Sequence, residues 1–277
     1  MKSILFVATL AGCAMSVSAA EVASVASGPF KSQNFAMHIK SAMAFRGKSV
    51  LDKSDVIVAV ITNAEMDTDA FAAYVDRRRA IDRRVRDDDT GVVYLEFRPD
   101  GAYRGLSFYF ARGNNCGYCG GGVTSTVKLA NGRLSGSLKS NDDKPAFDVK
   151  LSVPVVSDDH GGPLPADGGA PGKVYLAYHA ALVKRDAKAL RPILSDELRK
   201  TLDDATKEGK AAAYMNYLAK EHPGKSVQIS KGFSNGNQAV LLIAGESSTT
   251  RLAGEVVLLN QGGGWRVDDE LTDVVMQ

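Results

Sequence analysis

A segment rich in glycine, proline and aspartate, residues 157–172, limits most strongly what this chain of 277 residues can fold into. It contains Pro163, Pro165 and Pro171, and five of its other residues are glycines. Proline removes a backbone donor and glycine loses the most entropy on ordering, so we expect neither a strand nor a helix here. The sequence therefore predicts two separately packed domains, 28–156 and 173–277, joined by an exposed linker.

The first twenty residues have the layout of a secretory signal peptide. Lys2 precedes an apolar run, residues 4–15, and small residues follow up to Ala20. The run is shorter than the roughly 20 apolar residues that span a membrane, and no later segment is apolar for long enough. We therefore predict an exported protein of the periplasm or the extracellular medium, with no transmembrane span once residues 1–20 are removed.

Two processing routes stay open at this N-terminus. Ser18 and Ala20 are the small residues that the ordinary signal peptidase needs, whereas Leu10 to Cys13 resembles the lipobox of bacterial lipoproteins, in which Cys13 is acylated. Either route removes Lys2, so the formal net charge falls from +2 to +1. A chain so close to neutral has no general attraction for nucleic acid, and we expect no such partner.

Residues 28–156 have the pattern of a β-rich domain. A run of β-branched residues at 56–61 is typical of a central strand buried on both faces, and residues 67–86 form the only helical pattern. Alternating or extended runs occupy most of the remainder: 35–45, 92–97, 103–110, 123–129, 134–138 and 147–155. We predict an antiparallel β-sandwich or flattened barrel carrying one helix, similar to uncharacterised exported bacterial β-domains.

The predicted helix carries six arginines, which allows two interpretations. Arg77, Arg78 and Arg79 with their later neighbours could bind phosphates of an envelope lipid. Aspartates at 87–89 lie three or four residues from Arg83 and the other late arginines, so local ion pairs would neutralise the same face. We expect the second arrangement, a solvated and self-paired face.

Residues 173–277 place helices before strands, which defines an α+β domain. Helical periodicity covers 174–183, 190–202 and 211–218, and strand patterns follow at 227–233, 239–244, 249–260 and 264–268. Asp186 and Ser195 stand where helix N-caps are needed. The segment 175–186, with the closing residues 255–260 and the Gly-Trp-Arg-Val-Asp sequence at 264–268, resembles the nuclear transport factor 2-like superfamily. The resemblance implies a curved sheet wrapped around helices as a cone with a pocket.

That resemblance implies a fold and almost nothing about function, because the superfamily contains isomerases, dehydratases, binding modules and inert adaptors. The pocket candidates are Tyr175, His179 and Trp265. His179 could act as a base if its helix face points into the cone. Asp269 is in phase with Trp265 and could reach the same interior. His179 also fits a structural role at the edge of the core, and Asp269 also fits a solvated strand end.

Cys116 and Cys119 form a Cys-x-x-Cys pair that is similar to the active site of some periplasmic disulfide exchangers. Such sites need the first cysteine at a helix N-terminus, whereas glycines and then a strand follow this pair. A short structural disulfide at a hairpin tip is the expected state in an oxidising compartment. Redox exchange stays open because a small ring strains the bond, and a zinc site lacks histidines at suitable spacing.

Our leading functional hypothesis is an exported cell-envelope protein that binds a small ligand or another envelope protein without catalysis. No recognisable nucleotide, triad-hydrolase or zinc-protease motif occurs, and we expect no metal and no cofactor. Two alternatives remain: thiol–disulfide exchange at Cys116 and Cys119, and an isomerase or hydrolase site in the C-terminal cone using His179 or Asp269.

Overall fold

The computed structural model describes residues 24–32, 35–85, 90–110, 115–119, 121–142, 145–220, 222–247 and 249–275. The predicted signal peptide and Cys13 lie outside these ranges. The protein is α+β, as the sequence predicts, with one sheet curled into a half-barrel and a second sheet. Within the described ranges, none of the helices is long and apolar enough to cross a membrane.

The first sheet contains twelve strands in the order β10-β11-β12-β4-β5-β6-β7-β8, with β1, β2, β3 and β9 attached beside this path. All pairs are antiparallel except β12 with β4. The strands are β1 Val25–Ser27, β2 Pro29–Ser32, β3 Phe35–His38, β4 Ser41–Lys48, β5 Asp55–Thr62, β6 Gly91–Phe97, β7 Tyr103–Phe110, β8 Asn115–Cys119, β9 Val123–Ser125, β10 Lys128–Ala130, β11 Arg133–Ser140 and β12 Ala146–Val156.

Two apolar cores lie on opposite faces of this sheet. Alternate side chains of β5 enter them: Ile57 lies in the core inside the half-barrel, and Val58 faces the helices on the other side. Every residue from Val56 to Thr62 is buried, which confirms the prediction of a central strand covered on both faces. The predicted strand at 35–45 is instead two strands, β3 and β4, and β3 pairs with β2.

The single predicted helix is divided into α1, Thr68–Ala72, and α2, Arg77–Val85. Asp67 is the N-cap of α1, and its carboxylate accepts hydrogen bonds from the backbone N–H groups of Asp69 and Ala70. The chain then turns before α2, where Glu255 of the second sheet accepts hydrogen bonds from the N–H groups of Val75 and Asp76 at 2.7 and 3.0 Å. The division therefore places two backbone donors against a distant carboxylate.

In the part of the second half that the structure describes, there are four α-helices and a five-stranded sheet in the order β13-β14-β15-β16-β17. Asp186 and Ser195 cap helices as predicted, through hydrogen bonds to the N–H groups of Ala189 and Leu198. The elements are β13 Gly162–Pro163, α3 Gly169–Lys184, α4 Ala187–Leu190, a 3-10 turn at Arg191–Ile193, α5 Asp196–Lys207, α6 Ala211–Lys220, β14 Ser226–Ser234, β15 Gln238–Glu246, β16 Arg251–Gln261 and β17 Gly264–Val274.

The expectation that residues 157–172 contain neither strand nor helix is wrong. Gly162 and Pro163 form β13 at the edge of the second sheet, where proline is tolerated because no further strand needs its N–H. A β-carbon at Gly161 would lie 2.1 Å from the carbonyl oxygen of Ser234, so glycine permits this approach. Pro171 lies in the first turn of α3, where a missing N–H costs little.

Helices α1 and α2 lie between the two sheets. Phe71, Tyr74 and Ile81 share one buried cluster with first-sheet residues and with Val257 and Leu271 of the second sheet. The opposite face of the second sheet packs against α3 to α6, where Tyr175, Leu182 and Met215 are among the buried residues. The two halves of the chain are therefore joined by a continuous apolar layer.

The prediction of a solvated, self-paired arginine face is wrong for the first arginines of α2. Arg77 is 2% exposed, and its guanidinium donates hydrogen bonds to the Asp158 carboxylate at 2.5 Å and to the carbonyl oxygen of Ser157 at 2.7 Å. Arg78 pairs with buried Glu96 of β6 at 2.8 Å. Arg79 reaches Asp273 of β17 at 3.3 Å. The predicted partners at 87–89 lie outside the described residues.

Candidate functional site

An irregularity in strand β17 decides which acidic side chain faces the helices. The register with β16 shifts between Val257 and Leu258, so that Val267 pairs with Leu258 and Asp269 pairs with Val257. One extra residue reverses which face the following side chains occupy. Asp269 consequently lies on the α1 side of the sheet, where Tyr74 donates a 2.5 Å hydrogen bond to it. Glu270 takes the face toward α3.

Glu270 is the centre of a hydrogen-bonded chain of four side chains. The Tyr175 hydroxyl donates to its Oε1 at 2.8 Å, and Nδ1 of His222 lies 2.7 Å from its Oε2. Nε2 of His222 lies 2.8 Å from Nδ1 of His179. The side chains of His222 and Glu270 are only 1% and 7% exposed, whereas His179 is half-buried. We call Glu270, His222, His179 and Tyr175 the relay.

The relay fixes the tautomers of both histidines when Glu270 is ionised and both imidazole rings are neutral. Nδ1 of His222 must then donate to the carboxylate, so its Nε2 accepts from Nδ1–H of His179. Nε2 of His179 is left without a proton, and no side chain in the described part of the structure hydrogen-bonds it. Burial and the neighbouring His222 lower the pKa of His179 below its ordinary 6.5, which favours this neutral form.

A cavity of about 300 Å³ opens beside Glu270 and combines both halves of the chain. We call it the tyrosine pocket. Helix α2 contributes an exposed arginine, β17 contributes two carboxylates, and α3, α5 and α6 contribute the aromatic and aliphatic surface. Its lining residues are Arg83, Tyr178, Leu198, Tyr214, Tyr217, Leu218, Asp269 and Glu270.

The hydroxyl of Tyr178 makes no hydrogen bond to a described residue. The tyrosine is 2% exposed as a whole and lines the cavity. Burial, followed by the carboxylate of Glu270, raises the pKa of this phenol well above its ordinary 10.0. Burial likewise raises the pKa of Tyr214 to about 12. Both phenols are therefore neutral at physiological pH and can donate a hydrogen bond to a ligand or accept one from it.

A larger and more open cleft of about 1,200 Å³ lies on the other side of His222. Exposed serine, threonine and lysine side chains form much of its wall. Its charges are largely paired, since Arg79 contacts Asp273 and Lys225 contacts Glu246, each at 3.3 Å.

The structure brings only some of the predicted site residues together. Tyr175 and His179 meet in the relay, and Asp269 lies at the tyrosine pocket but on the opposite face of β17 from the relay. Trp265 is half-buried beside the β16–β17 hairpin, opposite Asn260, and does not line this pocket.

Sequence reasoning missed His222 and Glu270. His222 precedes Pro223 and Gly224, a sequence typical of a helix end, and its only other sequence signal is the rarity of histidine, which occurs four times in the chain. Strict alternation from Trp265 places Glu270 on the face of β17 away from α3, and the β-bulge reverses this.

Cys116 and Cys119 form a disulfide within β8, with their α-carbons 6.2 Å apart. The predicted hairpin tip is instead an edge strand that pairs with β7, where Cys116 lies opposite Phe108 and Cys119 opposite Leu106. Both cysteines pack against the core inside the half-barrel. Because β8 is a strand, its cysteines lack the helix dipole that stabilises a thiolate in redox sites.

The described residues contain no group of three or more histidine, cysteine, aspartate or glutamate side chains arranged to hold a metal ion. No protein-family model and no curated protein matches the chain. The resemblance to the nuclear transport factor 2-like superfamily stays a prediction from the sequence.

Proposed function

We propose that this protein is an exported cell-envelope binding protein that holds a small ligand in the tyrosine pocket. The observation that carries the proposal is the Tyr178 hydroxyl, which makes no hydrogen bond to a described residue and belongs to a side chain that lines a cavity of about 300 Å³. A hydroxyl that makes no hydrogen bond within the protein can donate one to a ligand or accept one from it. Export is inferred from the signal-like pattern of residues 1–20.

The pocket has the composition of a ligand site. Five of its eight lining residues are tyrosine or leucine, and Arg83, Asp269 and Glu270 supply polar groups that can fix the orientation of a ligand. Its polar groups are also held in place, because Glu270 is bonded by Tyr175 and His222 and Asp269 is bonded by Tyr74. Such preorganisation reduces the entropy lost on binding.

The test is a fragment screen by NMR on protein with labelled tyrosine rings, using neutral, anionic and cationic fragments. Binding should shift the signals of Tyr178, Tyr214 and Tyr217. Tyr178→Phe removes one hydroxyl and should weaken a confirmed fragment about five- to tenfold, which corresponds to one hydrogen bond. Tyr109→Phe on β7 of the first sheet is the matched control and should bind normally. A screen in which no fragment of any charge shifts the pocket signals overturns the proposal.

A second candidate is general acid–base catalysis by an isomerase or hydrolase, supported by the relay. A buried carboxylate that orients one histidine, which in turn orients a second, leaves Nε2 of His179 as a base without a proton. An isomerase or hydrolase activity found in a substrate screen should be lost in His179→Gln. Its pH profile should rise through a midpoint below 6.5, because the pKa of His179 is lowered. Activity that persists in this variant rejects the candidate.

A further inference from the structure

The charges around the tyrosine pocket favour one class of ligand. Asp269 and Glu270 supply two carboxylates, and Arg83 is the single cationic residue of the described lining. The Arg83 guanidinium donates a 3.0 Å hydrogen bond to the backbone oxygen of Glu270. Counted formally, the described lining therefore holds two carboxylates and one guanidinium.

Both carboxylates also act on the phenol of Tyr178. Burial raises the pKa of this phenol, the carboxylates of Glu270 and Asp269 raise it further, and the Arg83 guanidinium opposes them. The carboxylates therefore outweigh the guanidinium at the hydroxyl itself. A cation placed beside Tyr178 would be stabilised by the same potential.

Aromatic rings add a second attraction for a cation. Tyr178, Tyr214 and Tyr217 line the cavity, and the rings of Tyr214 and Tyr217 are stacked with centroids 6.4 Å apart. The negative face of an aromatic ring attracts ammonium groups, and several rings around one cavity are the usual receptor for an alkylated ammonium. The Tyr178 hydroxyl can accept a hydrogen bond from an ammonium N–H.

We propose that the tyrosine pocket is selective for a small organic cation, a primary or alkylated ammonium carried on a short apolar group. This inference rests on the proposed function and specifies the class of ligand that the pocket binds. The volume of about 300 Å³ is at the lower end of ligand pockets, which suits a small amine and not a polymer.

The experiment measures binding of three probes of one shape to the full-length protein: benzylammonium, benzyl alcohol and benzoate. Tyrosine ring signals are followed by NMR titration at low and at physiological salt. We expect benzylammonium to bind about tenfold more tightly than benzyl alcohol and benzoate to bind most weakly. The preference for the cation should decrease at higher salt.

Two variants test the charge and the rings separately. Arg83→Gln removes the competing cation from an exposed side chain and should strengthen benzylammonium binding about threefold, the reverse of what disruption of the pocket would do. Tyr217→Leu removes a ring that is 65% exposed and should weaken benzylammonium binding about threefold. Arg133→Gln on β11 of the first sheet is the matched control and should leave binding unchanged.

Equal binding of the three probes, or tighter binding of benzoate, overturns the cation inference while the proposed binding function stands. Weaker binding of benzylammonium by Arg83→Gln also overturns it. If fragments of other charge bind and benzylammonium does not, the cation inference is wrong and the proposed binding function stands. If no fragment binds at the pocket, the proposed function fails first.

Discussion

Tyr74 donates a 2.5 Å hydrogen bond to Asp269 from a position 195 residues earlier in the chain. Tyr74 belongs to the turn between α1 and α2, and Asp269 belongs to β17 of the second sheet. The bond therefore fixes one wall of the tyrosine pocket from the opposite half of the molecule. Rigidity of the pocket depends on the contact between the halves.

Tyr74→Phe should reduce the free energy of unfolding by about 1.5 kcal/mol, because Asp269 loses a donor while the buried ring is retained. Urea denaturation measures the change. Tyr217→Phe alters an exposed tyrosine and should shift stability by less than about 0.5 kcal/mol. Equal effects of the two variants would show that the bond between Tyr74 and Asp269 does not stabilise the fold.

The buried ion pair between Arg78 and Glu96 gives a second prediction. Glu96 is 1% exposed in its side chain and also accepts a 2.7 Å hydrogen bond from Ser49. Arg78→Met leaves this carboxylate without its cation and should cost about 3 kcal/mol. Glu96→Gln in the same background should cost much less than it does alone, as a double-mutant cycle in urea would measure. Additive losses would contradict the coupling.

Glu255 gives a prediction about pH. Burial raises its pKa above the ordinary 4.5, although the N–H groups of Val75 and Asp76 act in the opposite direction. The folded protein therefore holds this proton more tightly than the unfolded chain does. Protonated Glu255 therefore stabilises the folded state. This stabilisation is fully present below the pKa that Glu255 has in the unfolded chain, and it is lost as pH rises through the pKa that Glu255 has in the folded protein.

We therefore expect the wild type to lose stability relative to Glu255→Gln as pH increases from about 4 toward 7. Urea unfolding of both proteins at each pH measures the difference, and pairing the two proteins cancels the other titrating groups. A stability difference that is flat across this range, or that moves in favour of the wild type, would contradict the raised pKa.

The disulfide within β8 should contribute to stability. A bridge between Cys116 and Cys119 closes a very small ring, for which the chain-entropy relation gives roughly 2 kcal/mol. The double variant Cys116→Ser, Cys119→Ser should unfold at correspondingly lower urea. Reductant should destabilise the wild type and leave the double variant unaffected. Full stability of the reduced wild type would leave the bridge without a structural role.

Much of the fold follows from local sequence signals. The β-branched run at 56–61 indicated the buried strand β5, and Asp186 and Ser195 cap the helices whose starts they mark. These features depend on neighbouring residues, so a single sequence contains them. The paired arginines of α2 are different, because Asp158, Glu96 and Asp273 come from three distant segments and no local spacing indicates them.

The candidate site was predictable only in part. Tyr175 and His179 lie on one face of a helix, which their spacing of four residues indicates. Glu270 reaches that face only because the register of β17 shifts, and a bulge has no dependable sequence signal at this position. His222 joins them from the segment that follows α6. Tertiary pairing, which a periodicity argument does not contain, therefore determined half of the relay.

The position of Asp269 and Glu270 on the last strand has a consequence for the order of assembly. The tyrosine pocket needs Arg83 from α2, Tyr178 from α3 and both carboxylates from β17. Contacts across such long stretches of chain form late in folding, since each must overcome the entropy of a long loop. We expect the pocket to be completed only when β17 docks against α2 and α3, so a folding intermediate that lacks this contact has neither carboxylate in place.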